Sequence, residues 1–273
     1  MQLSIELILK FLFGLCLGSF VNVVTYRLPR KISISYPRSF CPKCRKPIKI
    51  IDNIPVLSWI RLRGKCSNCN KQISYKYILI EISFAILFTI CTYSYTFLNN
   101  NFLNIVFSLS TSIFLIIFVS ITLIDIDYLV IPSSLSLSGI IFGLLFSILN
   151  SIVYEIDNPN SLIINHFYAT CLGFIIFEFI RFFGKKIFKK PALGKGDSFL
   201  AACLGSWLGI QWLILSSILS IYYAGIFSCI GIIIKKIKPG NLIPFAPFMA
   251  LGGISVWIMG YEFWNKILFY SIS

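Results

Sequence analysis

The chain has 273 residues, of which 57% are hydrophobic and 12% charged, and its mean hydropathy is +0.85. This composition excludes a water-soluble globular domain and is typical of a polytopic membrane protein. The formal net charge of +14 invites the idea of a polyanionic partner. Its distribution along the chain predicts anionic membrane lipid, and no nucleic acid, in that role.

Eight apolar runs are candidates for crossing the hydrocarbon core, which takes about 20 helical residues. The sixth run is the shortest, and its break from the seventh rests on Gly205, Gly209 and Gln211. The first run lacks a basic n-region and a small-residue cleavage site, so we expect no cleavable signal peptide. The sequence therefore predicts an all-α polytopic integral membrane protein with about eight transmembrane helices. The runs are 4–26, 77–97, 102–124, 130–153, 162–183, 198–211, 212–234 and 245–261.

Lysine and arginine, apart from Lys10 and Lys266, are confined to three segments. The positive-inside rule predicts that these segments face the cytoplasm, so that both termini lie outside. Such basic loops need no partner beyond the anionic lipid of the inner leaflet. The segments are 27–76 with 13 basic residues, 181–195 with six, and 235–238 with three.

Two C-x-x-C pairs, Cys41/Cys44 and Cys66/Cys69, lie in the first basic segment. Their spacing is that of two knuckles that bind one tetrahedral zinc, and thiols stay reduced in the cytosol. We interpret them as a structural zinc site, with a disulfide pair or a redox or catalytic role as the alternatives. The predicted organisation is a first transmembrane helix over 1–26, a cytosolic zinc-binding insert over 27–76 and a multi-helix membrane domain over 77–273.

Three aspartates lie where the charge pattern predicts the cytoplasmic boundary of the membrane. Asp125 and Asp127 end the third apolar run, and Asp197 begins the sixth. Residues two apart on a helix point about 200° away from each other, so only one of Asp125 and Asp127 can face Asp197. Gly194 and Gly196 allow a close backbone approach just before Asp197. Carboxylates at this depth are usually functional, but helix capping by Asp197 and a solvated helix end for the other two remain the alternative.

The single histidine, His166, is predicted at the outer end of the fifth run as an interfacial residue. A cytosolic Ser-His-Asp site and an H-E-x-x-H metalloprotease are therefore excluded. A hydrolase in this chain would depend on carboxylates, because two aspartates that share one proton can activate water and polarise a carbonyl.

These features together resemble the type 4 prepilin peptidases, the bifunctional leader peptidase/N-methyltransferases of pilus and type II secretion systems. The stretch Gly14–Pro29 is similar to that family's N-terminal signature. The two cysteine pairs follow, with I-P-V-L-S-W between them and Glu81 four residues after Tyr77. The segment 243–253 resembles the family's last motif, although Ala246 stands where glycine is usual.

The resemblance implies a site and a reaction. Asp125 in D-x-D-x-x-x-x-P and Asp197 in G-x-G-D match the family's aspartic motifs, which implies that they are the catalytic pair. Asp127, Gly194 and Gly196 would be accessory. The expected enzyme lies in the bacterial cytoplasmic membrane and cuts the basic leader of prepilins or pseudopilins after a glycine, on the cytoplasmic side.

The resemblance also implies N-methylation of the new N-terminus from S-adenosylmethionine, around the zinc-bearing region. The chain contains no G-x-G-x-x-G, so the sequence names no residues for a methyl-donor site.

Two other readings fit part of the sequence. A presenilin-like intramembrane aspartic protease would share G-x-G-D, but the zinc insert and the N-terminal signature argue against it. A transporter or a quinone-linked thiol oxidase would fit the helices, but its cysteines should lie on the oxidising face of the membrane.

Overall fold

The protein is described by a computed structural model that covers residues 2–93, 101–153, 159–189, 193–238 and 243–270. Within these ranges the regular structure is helical, and strand-like pairing is limited to two isolated bridges. The chain divides into two compact units, Met1–Ile116 and Ile117–Ser273, and the division falls within the helix Asn101–Tyr128.

Each of the eight predicted apolar runs corresponds to a helix, with described ends that differ by up to five residues, except that the last helix extends nine residues further. Residues 94–97 of the second run lie outside the described residues. One further short helix, α2, lies in the insert. The α-helices are α1 Gln2–Arg27, α2 Leu57–Arg61, α3 Tyr75–Tyr93, α4 Asn101–Tyr128, α5 Ser133–Val153, α6 Pro159–Phe188, α7 Lys195–Leu208, α8 Ile210–Ile233 and α9 Ala246–Tyr270, which is kinked at Gly260.

Six of these helices (α1, α3, α4, α5, α6 and α8) are long and apolar enough to cross a membrane. The other two predicted spans are shorter. Helix α7 has 14 residues, which is about 21 Å of helix, and the apolar part of α9 is Ala246–Gly260. An all-helical membrane protein is therefore confirmed, whereas the predicted number of eight spans is not.

Small residues bring α1 and α3 into backbone contact in the first unit. A Cβ atom at Gly14 would lie 2.7 Å from the Cα of Ala85, and one at Gly18 would lie 2.8 Å from the Cα of Glu81. Side chains at either glycine would force the helices apart. Close approach through glycine is a common way for helices to associate in a membrane, because lipid offers them no hydrophobic driving force.

Arg27, at the end of α1, ties the start of the insert to this helix pair. The residue is 3% exposed, and its guanidinium lies 5.5 Å from the centre of the Phe40 ring. Both terminal nitrogens donate to backbone carbonyls, so the buried charge is solvated by peptide dipoles. The acceptors are the carbonyl oxygens of Ser33, Ile34, Pro37 and Arg38, at 2.7–3.2 Å.

In the second unit, α6 and α7 pack with their backbones nearly in contact. A Cβ atom at Gly173 would lie 2.6 Å from the carbonyl oxygen of Ala201, and one at Gly205 would lie 2.4 Å from that of Ala169. Eleven of the 14 residues of α7 are buried, so this helix forms the centre of the unit although it is the shortest of the apolar helices.

The contact at Gly205 predicts that Gly205→Ala destabilises the protein. The new methyl group would collide with backbone, which cannot rotate away, so we expect the free energy of unfolding to fall by roughly 1–3 kcal/mol. Gly225→Ala in α8 is the matched control, because nothing lies within 4 Å of its added Cβ atom. Unfolding of purified protein in detergent measures both, and equal stability of the two variants would contradict the packing described here.

Candidate active site and metal centre

The two C-x-x-C pairs lie in turns of the same construction. In the first, the N–H of Cys41 donates to the carbonyl of Lys46 at 3.0 Å, and Arg45 N–H donates back to Cys41 at 2.8 Å. The second turn repeats both bonds, from Cys66 to Lys71 and from Asn70 to Cys66, at 2.9 Å each. Arg45 and Asn70 both adopt a positive φ, which lets each turn fold back on its cysteines.

The turns bring the four sulfurs together. The Sγ atoms of Cys41, Cys44, Cys66 and Cys69 lie within 4.8 Å of one another. Four thiolates around a tetrahedral zinc, each with a bond of about 2.3 Å, are separated by about 3.8 Å, so the cluster fits this ion with a small contraction. Burial opposes ionisation of Cys66, but hydrogen bonds from the Asn68 and Cys69 backbone and from neighbouring thiols outweigh it and lower its pKa to about 7. The predicted quartet is thus assembled and compatible with zinc.

Asp125 lies in the last turn of α4 and is 6% exposed. Its Oδ2 accepts a hydrogen bond of 3.2 Å from the backbone N–H of Ala246, the first residue of α9. The N–H groups in the first turn of a helix have no partner within the helix, so this carboxylate satisfies one of them. The segment 243–253, which contains Ala246, therefore contacts Asp125 through a backbone N–H.

Asp197 is the third residue of α7 and is 7% exposed. Its Oδ2 accepts a hydrogen bond of 2.8 Å from the N–H of Gly194, so the carboxylate caps its own helix. Burial raises the pKa of Asp197 to about 6, with a further rise from the negative charge of Asp125 and an opposing effect of the Gly194 N–H. The two carboxylates therefore interact electrostatically within one buried site.

The glycines before Asp197 differ in role. A Cβ atom at Gly196 would lie 2.5 Å from the Cβ of Ile131, so the start of α7 can approach the segment that follows α4 only without a side chain there. At Gly194 the nearest atom to an added Cβ is 3.4 Å away, and the contribution of this residue is its N–H. The predicted close approach therefore applies to Gly196.

Asp127 is exposed, in contrast to Asp125 two residues earlier in the same helix. Only one of the two carboxylates is enclosed with Asp197, as the helical geometry predicts. The alternative of a solvated helix end fits Asp127 and is wrong for Asp125.

A polar contact beside Asp197 has no recognisable signature in the sequence. The hydroxyl of Ser198, which is fully buried, donates to Glu178 Oε2 on α6 at 3.0 Å. Arg181 donates to the same carboxylate through Nε at 3.0 Å and through its terminal nitrogen. Because serine is common next to any helix start, only the fold reveals that this one links α7 to α6.

His166, predicted at the outer end of its apolar run, is buried at 6% exposure and packs inside the protein. Its Nδ1 lies 2.9 Å from the carbonyl oxygen of Ser206, in the last turn of α7. The adjacent Asn165 accepts a hydrogen bond of 3.2 Å from the N–H of Ile210, the first residue of α8. The helical conformation is interrupted at Gly209, where φ is +78°. The side chains of His166 and Asn165 bind backbone groups that have no helical partner at this interruption.

The first unit contains a cavity of about 380 Å³ between α1, α3 and the cysteine-bearing insert. Glu81, on α3, lines it, and its Oε2 accepts a hydrogen bond of 2.9 Å from the N–H of Val56. Val56 has a φ of +61°, which is unusual for a β-branched residue, so this bond holds a strained turn in place. The I-P-V-L-S-W stretch and Glu81, which are separate in sequence, therefore form one feature.

Comparison with known protein families matches this chain to two peptidase family models. Residues 12–95 match the family described as "Bacterial Peptidase A24 N-terminal domain", and residues 112–234 match the "Type IV leader peptidase family". No solved structure gave a significant match.

Curated relatives match over most of their length. A prepilin leader peptidase/N-methyltransferase of Aeromonas salmonicida is 30% identical, over 90% of this chain and 88% of its own. A "Type 4 prepilin-like proteins leader peptide-processing enzyme" of Escherichia coli is 32% identical, over 89% of this chain and 90% of its own. A prepilin leader peptidase/N-methyltransferase of Neisseria gonorrhoeae is 28% identical, over 95% of this chain and 92% of its own. The chain belongs to the type IV leader peptidase family.

Proposed function

We propose that this protein removes the leader from type IV prepilins or pseudopilins with Asp125 and Asp197 as the catalytic pair, and then methylates the new N-terminus. One observation carries the proposal: two buried carboxylates from separate helices are coupled electrostatically, and each accepts a hydrogen bond from a backbone N–H. The names of the relatives support the substrate and both reactions.

The proposed cleavage assigns different roles to the two aspartates. Asp197 holds the shared proton, because burial and the charge of Asp125 raise its pKa, and it donates to the carbonyl oxygen of the scissile peptide. Asp125, anionic, takes a proton from water as the water oxygen attacks the carbonyl carbon. That proton then passes to the leaving nitrogen as the C–N bond breaks, and one hydroxyl of the tetrahedral gem-diol returns a proton to Asp197. The step releases a carboxyl group and a free amine and restores both aspartates.

Zinc in this proposal is structural. The segment over 27–76 has few buried apolar side chains, and four thiolate bonds would fix its two turns. The methyl donor is S-adenosylmethionine, which supplies an electrophilic methyl group when bound.

The proposed topology has the three basic segments in the cytoplasm and both termini outside, with eight crossings. In this topology the short helix α7 forms one crossing and ends at Gly209. His166 and Asn165 bind the backbone groups of Ser206 and Ile210 on either side of this glycine. The orientation gives access to a cytosolic leader at Asp125 and Asp197. Labelling of cysteines introduced singly at Lys43 and within residues 98–101, from each side of the membrane, tests it, and labelling within 98–101 from inside would reverse the assignment.

Asp125→Asn and Asp197→Asn should each lower the cleavage rate by a factor of about 10² to 10⁴, the usual contribution of a positioned acid or base. Both variants keep an oxygen that can accept the backbone hydrogen bond, so they should remain folded. Asp127→Asn is the matched control and should retain most activity, because its side chain is exposed. Mass spectrometry of a purified prepilin incubated with each enzyme measures cleavage, and near wild-type processing by either of the first two variants would refute the aspartic mechanism.

Stability should depend on pH through Asp197. Its pKa is about 6 in the folded protein and roughly 4 in an unfolded chain, so the folded state binds more protons between these values. Stability contributed by this group therefore falls as the pH rises through that window. Asp197→Asn removes the effect and should exceed the wild type at pH 7 by on the order of 2 kcal/mol, with little difference at pH 4.

Unfolding of both proteins in detergent at the two pH values tests this expectation. Asp127→Asn, at an exposed carboxylate, should show no such pH-dependent gain. A gain of equal size at pH 4 and pH 7 would show that the substitution acts through packing and not through the proton.

The zinc assignment predicts one zinc ion per chain in purified protein. Cys41→Ser should lose that ion and expose the 27–76 segment to proteolysis, since the turns would lack their common anchor. Cys229→Ser, at an exposed cysteine of α8, is the control and should retain zinc. Metal analysis with limited proteolysis measures both, and a protein that contains no zinc but resists proteolysis in this segment would overturn the structural role.

A further inference from the structure

Two carboxylates line the cavity of the first unit, and they differ in their partners. Asp52 forms an ion pair with Arg61 and accepts a hydrogen bond of 2.8 Å from Ser67. Glu81 is 9% exposed, and in the part of the chain that the structure describes it forms no ion pair. The N–H of Val56, which donates to it, is neutral, and so are its side-chain hydrogen-bond partners Ser19 and Asn22.

A buried carboxylate without a cation is costly, because a few neutral donors replace only part of its hydration. The buried cation in the lining, Arg27, does not supply the missing charge, since its terminal nitrogens donate to four backbone carbonyls. Lys43 and Lys71 also line the cavity, but both are exposed. Among the described residues Glu81 therefore has no paired cation in this cavity, and a cationic ligand would supply one.

Aromatic side chains form other parts of the wall, among them Tyr26, Trp59 and Tyr77. Trp59 is held by a hydrogen bond from Nε1 to the carbonyl of Ile73 at 3.4 Å and by the Tyr75 ring, whose centre is 5.0 Å away. Flat, fixed rings bind planar heterocycles by stacking and bind cations through their faces. The volume of about 380 Å³ lies within the range of small-molecule pockets.

We propose that this cavity binds S-adenosylmethionine and that Glu81 recognises the positive charge of its sulfonium group. The inference rests on the methyl transfer of the proposed function and assigns it a site. The cavity fits the donor because it combines a buried carboxylate for the cation with aromatic surface for the adenine ring.

The charge requirement also bears on release of the product. In the transfer, the neutral amine of the new N-terminus attacks the methyl carbon, the carbon–sulfur bond breaks with its electron pair left on sulfur, and the nitrogen loses a proton to water. S-adenosylhomocysteine therefore has no charge on sulfur. Glu81 should favour the donor over the product, so that spent product leaves and fresh donor replaces it.

The test is a comparison of two ligands that differ in this charge. Isothermal titration of the zinc-loaded full chain in detergent, without prepilin, gives the affinity for S-adenosylmethionine and for S-adenosylhomocysteine. We expect the wild type to prefer the donor. Glu81→Gln should weaken donor binding by a factor of about 10, the usual worth of a contact to a charged group, and change product binding less than about twofold.

Two further variants separate charge from structure. Glu81→Gln keeps a carbonyl oxygen for the Val56 N–H, and its zinc content shows whether the insert is intact. Glu81→Asp keeps the charge and should retain a preference for the donor. Glu6→Gln makes the same chemical change at a carboxylate that is paired with Lys10 and does not line the cavity, and should leave both affinities unchanged.

Equal weakening of both ligands in Glu81→Gln would assign Glu81 a structural role and overturn the proposal, as would unchanged affinities. A wild-type protein that cleaves prepilin but binds no donor would refute this inference and leave the peptidase assignment intact. Failure to cleave would refute the proposed function itself, whatever the titrations give.

Discussion

Carboxylates buried among apolar helices are the costly element of this structure, and each is stabilised in the same way. Asp125 accepts a hydrogen bond from Ala246, Asp197 from Gly194, and Glu81 from Val56, in every case from a backbone N–H. Backbone donors carry no net charge, so they hold a carboxylate in place without removing its negative charge. A lysine or arginine in the same position would fix the charge in an ion pair and remove it from chemistry. The packing around these residues brings the backbone N–H donors within hydrogen-bonding distance of the carboxylates.

For the pair in the second unit, that packing depends on small residues. Helix α7 can place Asp197 near Asp125 because Gly196 allows contact with Ile131, and it is held against α6 through Gly173 and Gly205. The contact from Ser198 to Glu178 adds a polar link at the same end of the helix. Rigid support of this kind would matter for the proposed catalytic pair, since the distance between two carboxylates sets the strength of their electrostatic coupling.

The sequence was sufficient for features that depend on local pattern. Apolar runs predicted all the long helices, the C-x-x-C spacing predicted the cysteine cluster, and helical geometry predicted that Asp125 and Asp127 face opposite ways. The donor to Asp125 could not be predicted, because Ala246 is 121 residues away and contributes its backbone, which every residue type has. The same limit applies to His166, whose partner is a carbonyl exposed by a helix break that residue identity alone does not reveal.

The closeness of α6 and α7 also restricts how a substrate can reach the aspartates. At Gly205 and Gly173 there is no space for a single added methyl group between the two helices, so no peptide can pass there. The side of α7 that faces α6 is therefore closed to a substrate. Under the proposed function, a peptide substrate must reach Asp197 from another side of α7, so this packing, together with the carboxylates, would restrict which peptide bond is cut.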